Sequence, residues 1–234
     1  FYRMLTEGGV LPHTSQPAPY EFEERFERAR AEGTTLLVLP ISSALSGTLQ
    51  CARMVKENGG YDNIYLYDSR CTTLMLELLV REAAKRAETL SIEELIAFVD
   101  DLRSRAHLLA GIDTLEYLAK GGSLNTATAA IGSLLRVKPI ITIGDGGTID
   151  VIGKKMGSKT AVRELCGMVD LNKIDPEYGI RFLYSMRDAN VRELIVRMGL
   201  DPETVLELQD IGPVIGTHIG PDAFGYVYVD RKEV

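Results

Sequence analysis

The residues of this chain best suited by type and spacing to do chemistry are small hydroxyls crowded around one glycine. Between Leu36 and Val55 the sequence reads L-L-V-L-P-I-S-S-A-L-S-G-T-L-Q-C-A-R-M-V, which sets Ser42, Ser43, Ser46 and Thr48 around Gly47. Leu49, Ala52 and Val55 then recur at helical spacing. Hydroxyls beside a helix start, where the first backbone N–H groups have no intrahelical partner, attract anions. Three readings of this corner stay open. Ser46 can simply cap the helix. The corner can take a phosphate, although neither G-x-G-x-x-G nor G-x-x-x-x-G-K-[ST] is present. It can take a carboxylate, and a lysine-free cluster of hydroxyls suits a singly charged group better than a polyphosphate.

Stepping outward from the corner, Leu36 to Ile41 is a short apolar run that fits a strand buried on both faces of a parallel sheet. Gly59 and Gly60 end the following helix, Asn63 to Tyr67 forms the next strand, and Thr72 to Glu88 the next helix. Strand–helix–strand–helix alternation implies a parallel α/β sheet, in which ligands bind at the C-terminal ends of strands. Thr14, Ser46 and Asp68 are expected at such ends. Asp68 and Ser69 either order a ligand loop or cap the next helix. Ahead of this region, Phe1 to Gly9 closes a helix, T-S-Q-P (Thr14 to Pro17) is extended, and Tyr20 to Glu32 is an amphipathic helix with Phe22 and Phe26 on one face, stopped by Gly33.

A second region starts at Ser91, where Ser91 and Glu94 form a capping box on a helix running to about Arg105. Six strand-like runs follow: Leu108 to Ile112, Val137 to Ile143, Thr148 to Gly153, Ile180 to Ser185, Val205 to Ile211 and Gly225 to Asp230. G-D-G-G at Gly144 to Gly147 predicts a hairpin, and a hairpin among helices implies a mixed sheet. The fold class is therefore α/β in two domains. Residues 1–89 form an N-terminal domain with a parallel sheet, and residues 90–234 a C-terminal domain with a six-stranded mixed sheet and helices.

Composition narrows the function. The chain has 234 residues, 45% of them hydrophobic, so material for a core is ample. A net charge of −7 disfavours a general nucleic-acid binder, which needs a basic face. Cys51, Cys71 and Cys166 are odd in number and far apart, which offers no disulfide framework and suits a reducing cytoplasm. His13, His107 and His218 lack metal-binding spacing, so no metal site and no cofactor are expected. No apolar run is longer than a strand, and stable membrane insertion is not expected.

Six motifs then occur in order: T-S-Q-P, I-S-S-A-L-S-G-T (Ile41 to Thr48), D-T-L-E-Y-L-A-K-G-G (Asp113 to Gly122), G-S-L-L-R-V-K-P-I (Gly132 to Ile140), D-G-G (Asp145 to Gly147) and I-G-P-V-I-G-T-H-I-G-P (Ile211 to Pro221). The series resembles the DegV family of bacterial fatty-acid-binding proteins and covers nearly the whole chain. The resemblance implies an EDD fold that holds one long-chain fatty acid, carboxylate between the domains and acyl tail in an apolar channel. It also implies a non-enzymatic role, presenting the acid to a fatty-acid kinase. Carried over by position, the carboxylate lies against Thr14 and Ser15 of T-S-Q-P, Ser46 and Gly47 of L-S-G-T, and His218. Gly216 and Gly220 beside that histidine are expected to let the backbone of a glycine-rich loop approach the ligand.

Departures from the family pattern accompany the matches. The family's N-terminal D-S strand end has no counterpart before Phe1, which implies a missing first strand and helix. Ser123 and Met156 stand where the family favours arginine, and Met75 and Glu77 where it favours glycine. The two lost cations bear on the kinase partner, not on the carboxylate. Lys120 with Gly121 and Gly122 reads equally as a helix C-cap or a ligand contact, and Lys154, Lys155 and Lys159 as a partner surface or a solvated face. Two other readings compete with lipid carriage. One is an enzyme acting through His218 on a small phosphorylated or hydroxylated substrate, on a glycerone-kinase-like scaffold. The other is a structural protein whose lipid site has decayed.

Overall fold

A computed structural model of the chain describes residues 1–8, 11–122, 137–203, 205 and 207–232. Its helices are α1 (Tyr2–Glu7), α2 (Pro19–Glu32), α3 (Thr48–Gly59), α4 (Thr73–Arg86), α5 (Ile92–Arg105), α6 (Glu116–Lys120), α7 (Ser158–Gly167), α8 (Ala189–Arg197) and α9 (Pro213–Ile219). Its strands are β1 (Leu36–Val38), β2 (Ile64–Leu66), β3 (Ala106–Gly111), β4 (Val137–Ile143), β5 (Ile149–Met156), β6 (Ile180–Tyr184), β7 (Leu208–Asp210) and β8 (Phe224–Val229). None of the described helices is long and apolar enough to cross a membrane.

The chain divides into two compact units. One comprises Ser15–Ser104 with Asp145–Thr148, the other Phe1–Thr14 with Arg105–Gly144 and Ile149–Val234. This differs from the expected division at residues 89 and 90, because α5 belongs with the elements before it. The Tyr67 hydroxyl donates to Asp100 at 2.8 Å, and the Arg86 guanidinium lies 4.2 Å from the centre of the Phe98 ring.

In the smaller unit β1 and β2 pair in parallel, Leu36 opposite Ile64. The strand expected to reach Ile41 stops at Val38 and is half-buried rather than buried on both faces. Pro40 has no N–H to offer a ladder, and the described residues supply β1 with one neighbour only. The helical spacing around the hydroxyl corner is realised as expected. Leu49, Ala52 and Val55 are all buried, and Ala52 and Val55 pack with Phe26, Ala29, Tyr61 and Ile64 into one core. Gly33 and Gly60 close α2 and α3 with φ of 66° and 60°, a conformation that costs glycine little. The capping box also forms: the Glu94 N–H donates to the Ser91 hydroxyl and the Ser91 N–H to the Glu94 carboxylate.

The larger unit contains a six-stranded sheet in the order β5-β4-β3-β8-β6-β7. Neighbours are antiparallel except β6 and β7, so the sheet is mixed, as the hairpin implied. β4 and β5 form that hairpin, with one register slip at Ile140/Ile141. The expected strand from Val205 to Ile211 is shorter, Leu208–Asp210, and residues 204 and 206 lie outside the described set. Ala161, Val162 and Leu165 of α7 and Val191, Leu194 and Ile195 of α8 pack on Ile140, Phe182, Phe224 and Tyr226 of the sheet. The buried Tyr226 hydroxyl is satisfied by donating to the Leu165 carbonyl at 2.7 Å.

Candidate functional site

The four hydroxyls around Gly47 have separate duties. The Ser42 hydroxyl donates to the Gly147 carbonyl at 2.9 Å and accepts from the Ala44 N–H. The Ser43 N–H and hydroxyl both donate to the Asp68 carboxylate, as does the Arg70 N–H. Burial pushes the Asp68 carboxyl upward, but the Ser43 and Arg70 bonds outweigh it and hold Asp68 below the usual carboxylate range. The buried Ser69 hydroxyl donates to the Pro40 carbonyl at 2.6 Å. Ser42, Ser43, Asp68 and Ser69 therefore brace the loops after β1 and β2.

Ser46 and Thr48 remain. Their hydroxyls pair at 2.8 Å, and the Ser46 oxygen also accepts from the Thr48 N–H at 3.3 Å. When two hydroxyls pair, one donates to the other and one O–H hydrogen is left for an outside acceptor. The helix cap is Gly47, not Ser46. Among the described residues the Leu49 and Gln50 amides meet no acceptor, as befits a first helical turn. Gln16 and Pro17 run along this helix start. A Cβ on Gly47 would lie under 3.0 Å from the Gln16 side-chain oxygen, and the Cys51 thiol faces the Pro17 carbonyl at 3.7 Å. Ser15 is exposed in the same segment. Gln16 is a neighbour that the motif contained but residue chemistry alone did not select.

Thr14 belongs to the larger unit, where its hydroxyl is hydrogen-bonded to His218 Nε2 at 2.8 Å. Among the described residues no strand precedes Thr14, contrary to expectation. His218 also departs from expectation: it stands in the last turn of α9, not in a loop. Pro213 opens that short helix at a position where its missing N–H costs nothing. The neighbouring glycines admit aromatic rings of the chain itself. A Cβ on Gly216 would meet the Tyr2 hydroxyl oxygen at 2.6 Å and the Phe1 ring at 2.8 Å, and one on Gly220 would overlap the Tyr117 ring. The Tyr2 hydroxyl donates to the Ile211 carbonyl, and burial raises its pKa to about 12. Burial also lowers the His218 pKa, which favours the neutral imidazole.

The other marked positions have settings of their own. Lys120 pairs with Glu116 one turn earlier on α6, at 2.5 Å. Lys155 pairs with Glu164 at 2.8 Å, while Lys154, Met156 and Lys159 are exposed. Met75 is buried in α4, and Glu77 faces Arg81 at 3.8 Å. Ser123 and the Gly132–Arg136 part of the fourth motif lie outside the described residues. Cys51 and Cys71 are buried free thiols and Cys166 is half-buried. No cluster of three or more metal-ligating side chains occurs among the described residues.

Residues 1–231 match the family described as "Uncharacterised protein, DegV family". A DegV domain-containing protein of Caldanaerobacter subterraneus subsp. tengcongensis is 34% identical over 235 residues, which span 99% of this chain and 83% of the relative. One from Clostridium perfringens is 31% identical over 242 residues, spanning 100% and 82%. Among solved structures, the fatty acid binding DegV family protein of Streptococcus agalactiae superposes with a TM-score of 0.87 at 28% identity, over 99% of this chain and 83% of that one. A DegV family protein of Thermus thermophilus, described by its fatty acid binding, gives 0.82 at 28% identity, over 98% and 83%. The fold, the ordered motifs and these matches agree: the chain belongs to the DegV family.

Proposed function

We propose that this protein binds one long-chain fatty acid as a non-enzymatic carrier, with Thr14, Ser15, Ser46, Gly47 and His218 taking the carboxylate. The observation that carries this reading is the T-S-Q-P segment. Its Thr14 hydroxyl meets His218, and its Gln16 lies on Gly47 beside the paired Ser46 and Thr48 hydroxyls. The fatty-acid-binding relatives support the ligand class. Hydroxyl and amide donors hold a carboxylate without a cation, since each hydrogen bond to a charged acceptor is worth about 1.5–3 kcal/mol. Neutral His218 adds a polar contact without burying a second charge. Affinity comes chiefly from the tail, at about 0.8 kcal/mol per buried methylene, so sixteen carbons supply on the order of 10 kcal/mol before ordering costs.

The same reading makes the protein the substrate-presenting partner of a fatty-acid kinase, which would phosphorylate the held carboxylate to an acyl phosphate. Met156 lies exposed on β5 where the family favours arginine, so this chain meets such a partner without that cation. Native mass spectrometry of gently purified protein tests carriage. One acyl chain per protein is expected, and none in the Thr14→Ala/Ser46→Ala double variant. A folded double variant that keeps its lipid at wild-type occupancy would overturn the assigned site.

A further inference from the structure

We infer that Gly121 is a positioning residue for His218, and that through it the first glycine of the K-G-G turn serves the head-group site. The first glycine of that turn has φ of −80°, which any residue adopts, so helix termination does not explain it. The left-handed position is the next one, Gly122, with φ of 71° and open space where a side chain would go. At Gly121 space is the constraint: a Cβ there would lie under 3.0 Å from His218 Nδ1 and 3.0 Å from Cε1. The imidazole thus rests on a bare backbone with its opposite nitrogen on Thr14. Tyr117, from the same helix as the K-G-G turn, fills the notch at Gly220, and Tyr2 fills the one at Gly216. Three glycines without side chains therefore set the seat of α9 and the direction of its histidine. Lys120, in contrast, serves its own helix by pairing with Glu116.

The role of the seated imidazole rests on the fatty-acid reading; the seating itself does not. Two measurements separate them. In urea unfolding, Gly121→Ala is expected to lower the midpoint of the wild-type chain and to cost clearly less in a His218→Ala background, because the imidazole makes the closest contacts, while the Tyr117 carbonyl, at 3.2 Å, remains near the new Cβ. Gly122→Ala, which strains the backbone, is expected to cost the same in both backgrounds. Should Gly121→Ala fail to fold alone yet fold with His218→Ala, that too would support the seating. Equal losses for Gly121→Ala in both backgrounds would overturn it. In NMR, the His218 ring resonances should move in Gly121→Ala, and their titration should shift toward the ordinary value of about 6.5 as the ring becomes more exposed. Unchanged His218 resonances would overturn the inference. A displaced ring with undiminished fatty-acid content would uphold the seating and count against His218 as a head-group ligand.

Discussion

Replacing Thr14 with valine keeps the shape of the side chain and removes one oxygen. That oxygen is bonded to His218 Nε2 at 2.8 Å on an exposed residue, so water can replace it. Loss of folding stability should stay at or below about 1 kcal/mol, the ordinary net worth of such a bond. In the complex the same oxygen is assigned to a carboxylate, where a hydrogen bond contributes about 1.5–3 kcal/mol. The dissociation constant should therefore rise by about 10- to 150-fold. Thr14→Ser, which keeps the hydroxyl, should stay within about threefold of wild type. The assay is titration calorimetry of delipidated protein with a saturated sixteen-carbon acid, and an acid one methylene shorter supplies an internal ruler of about fourfold. If the valine variant loses no more than the shorter acid does, Thr14 does not hold the carboxylate.

Protonation and packing supply further expectations. Burial lowers the His218 pKa, so its contribution to stability is intact above about pH 6.5 and is lost as pH falls through the folded value. A carboxylate close to the ring would favour the imidazolium form. The His218 pKa should therefore rise when fatty acid saturates the protein, and an unmoved NMR titration would show that the head group lies elsewhere. The Asp68 carboxyl is also depressed, held down by the bonds from Ser43 and Arg70, so its contribution is present above about pH 4 and lost as acid titrates the folded group. Asp68→Asn should remove that part of the acid sensitivity; an identical acid-unfolding profile would mean the network does not brace the corner. Gly225→Ala places a Cβ under 3.0 Å from the Leu109 carbonyl and 2.7 Å from the Ala110 Cα, backbone that cannot step aside within the sheet. A loss of about 3 kcal/mol, or roughly 6 °C and more in thermal midpoint, is expected. A shift under about 2 °C would refute so rigid a contact.

The sequence by itself determined the family and those local elements whose signals lie within a few residues of one another. Apolar spacing placed α2, α3 and α4, Ser91 and Glu94 announced α5, and G-D-G-G announced the β4–β5 hairpin, because caps, turns and amphipathic stripes are set by residues a few positions apart. It also contained the hydroxyls, but not which of them is spent. That was decided by distant partners: Ser42 is committed to Gly147, 105 positions away, and Ser43 to Asp68, 25 positions away. Likewise the glycines around His218 look, in one dimension, like freedom for a ligand to approach, yet Tyr2 and Tyr117 occupy two of those places. β8 could be recognised as a strand, but only long-range packing seats it between β3 and β6. Short-range propensity specifies many of the segments, though not the helix that carries His218; which donor is free, and which empty space is filled, depends on contacts made only after the chain has folded.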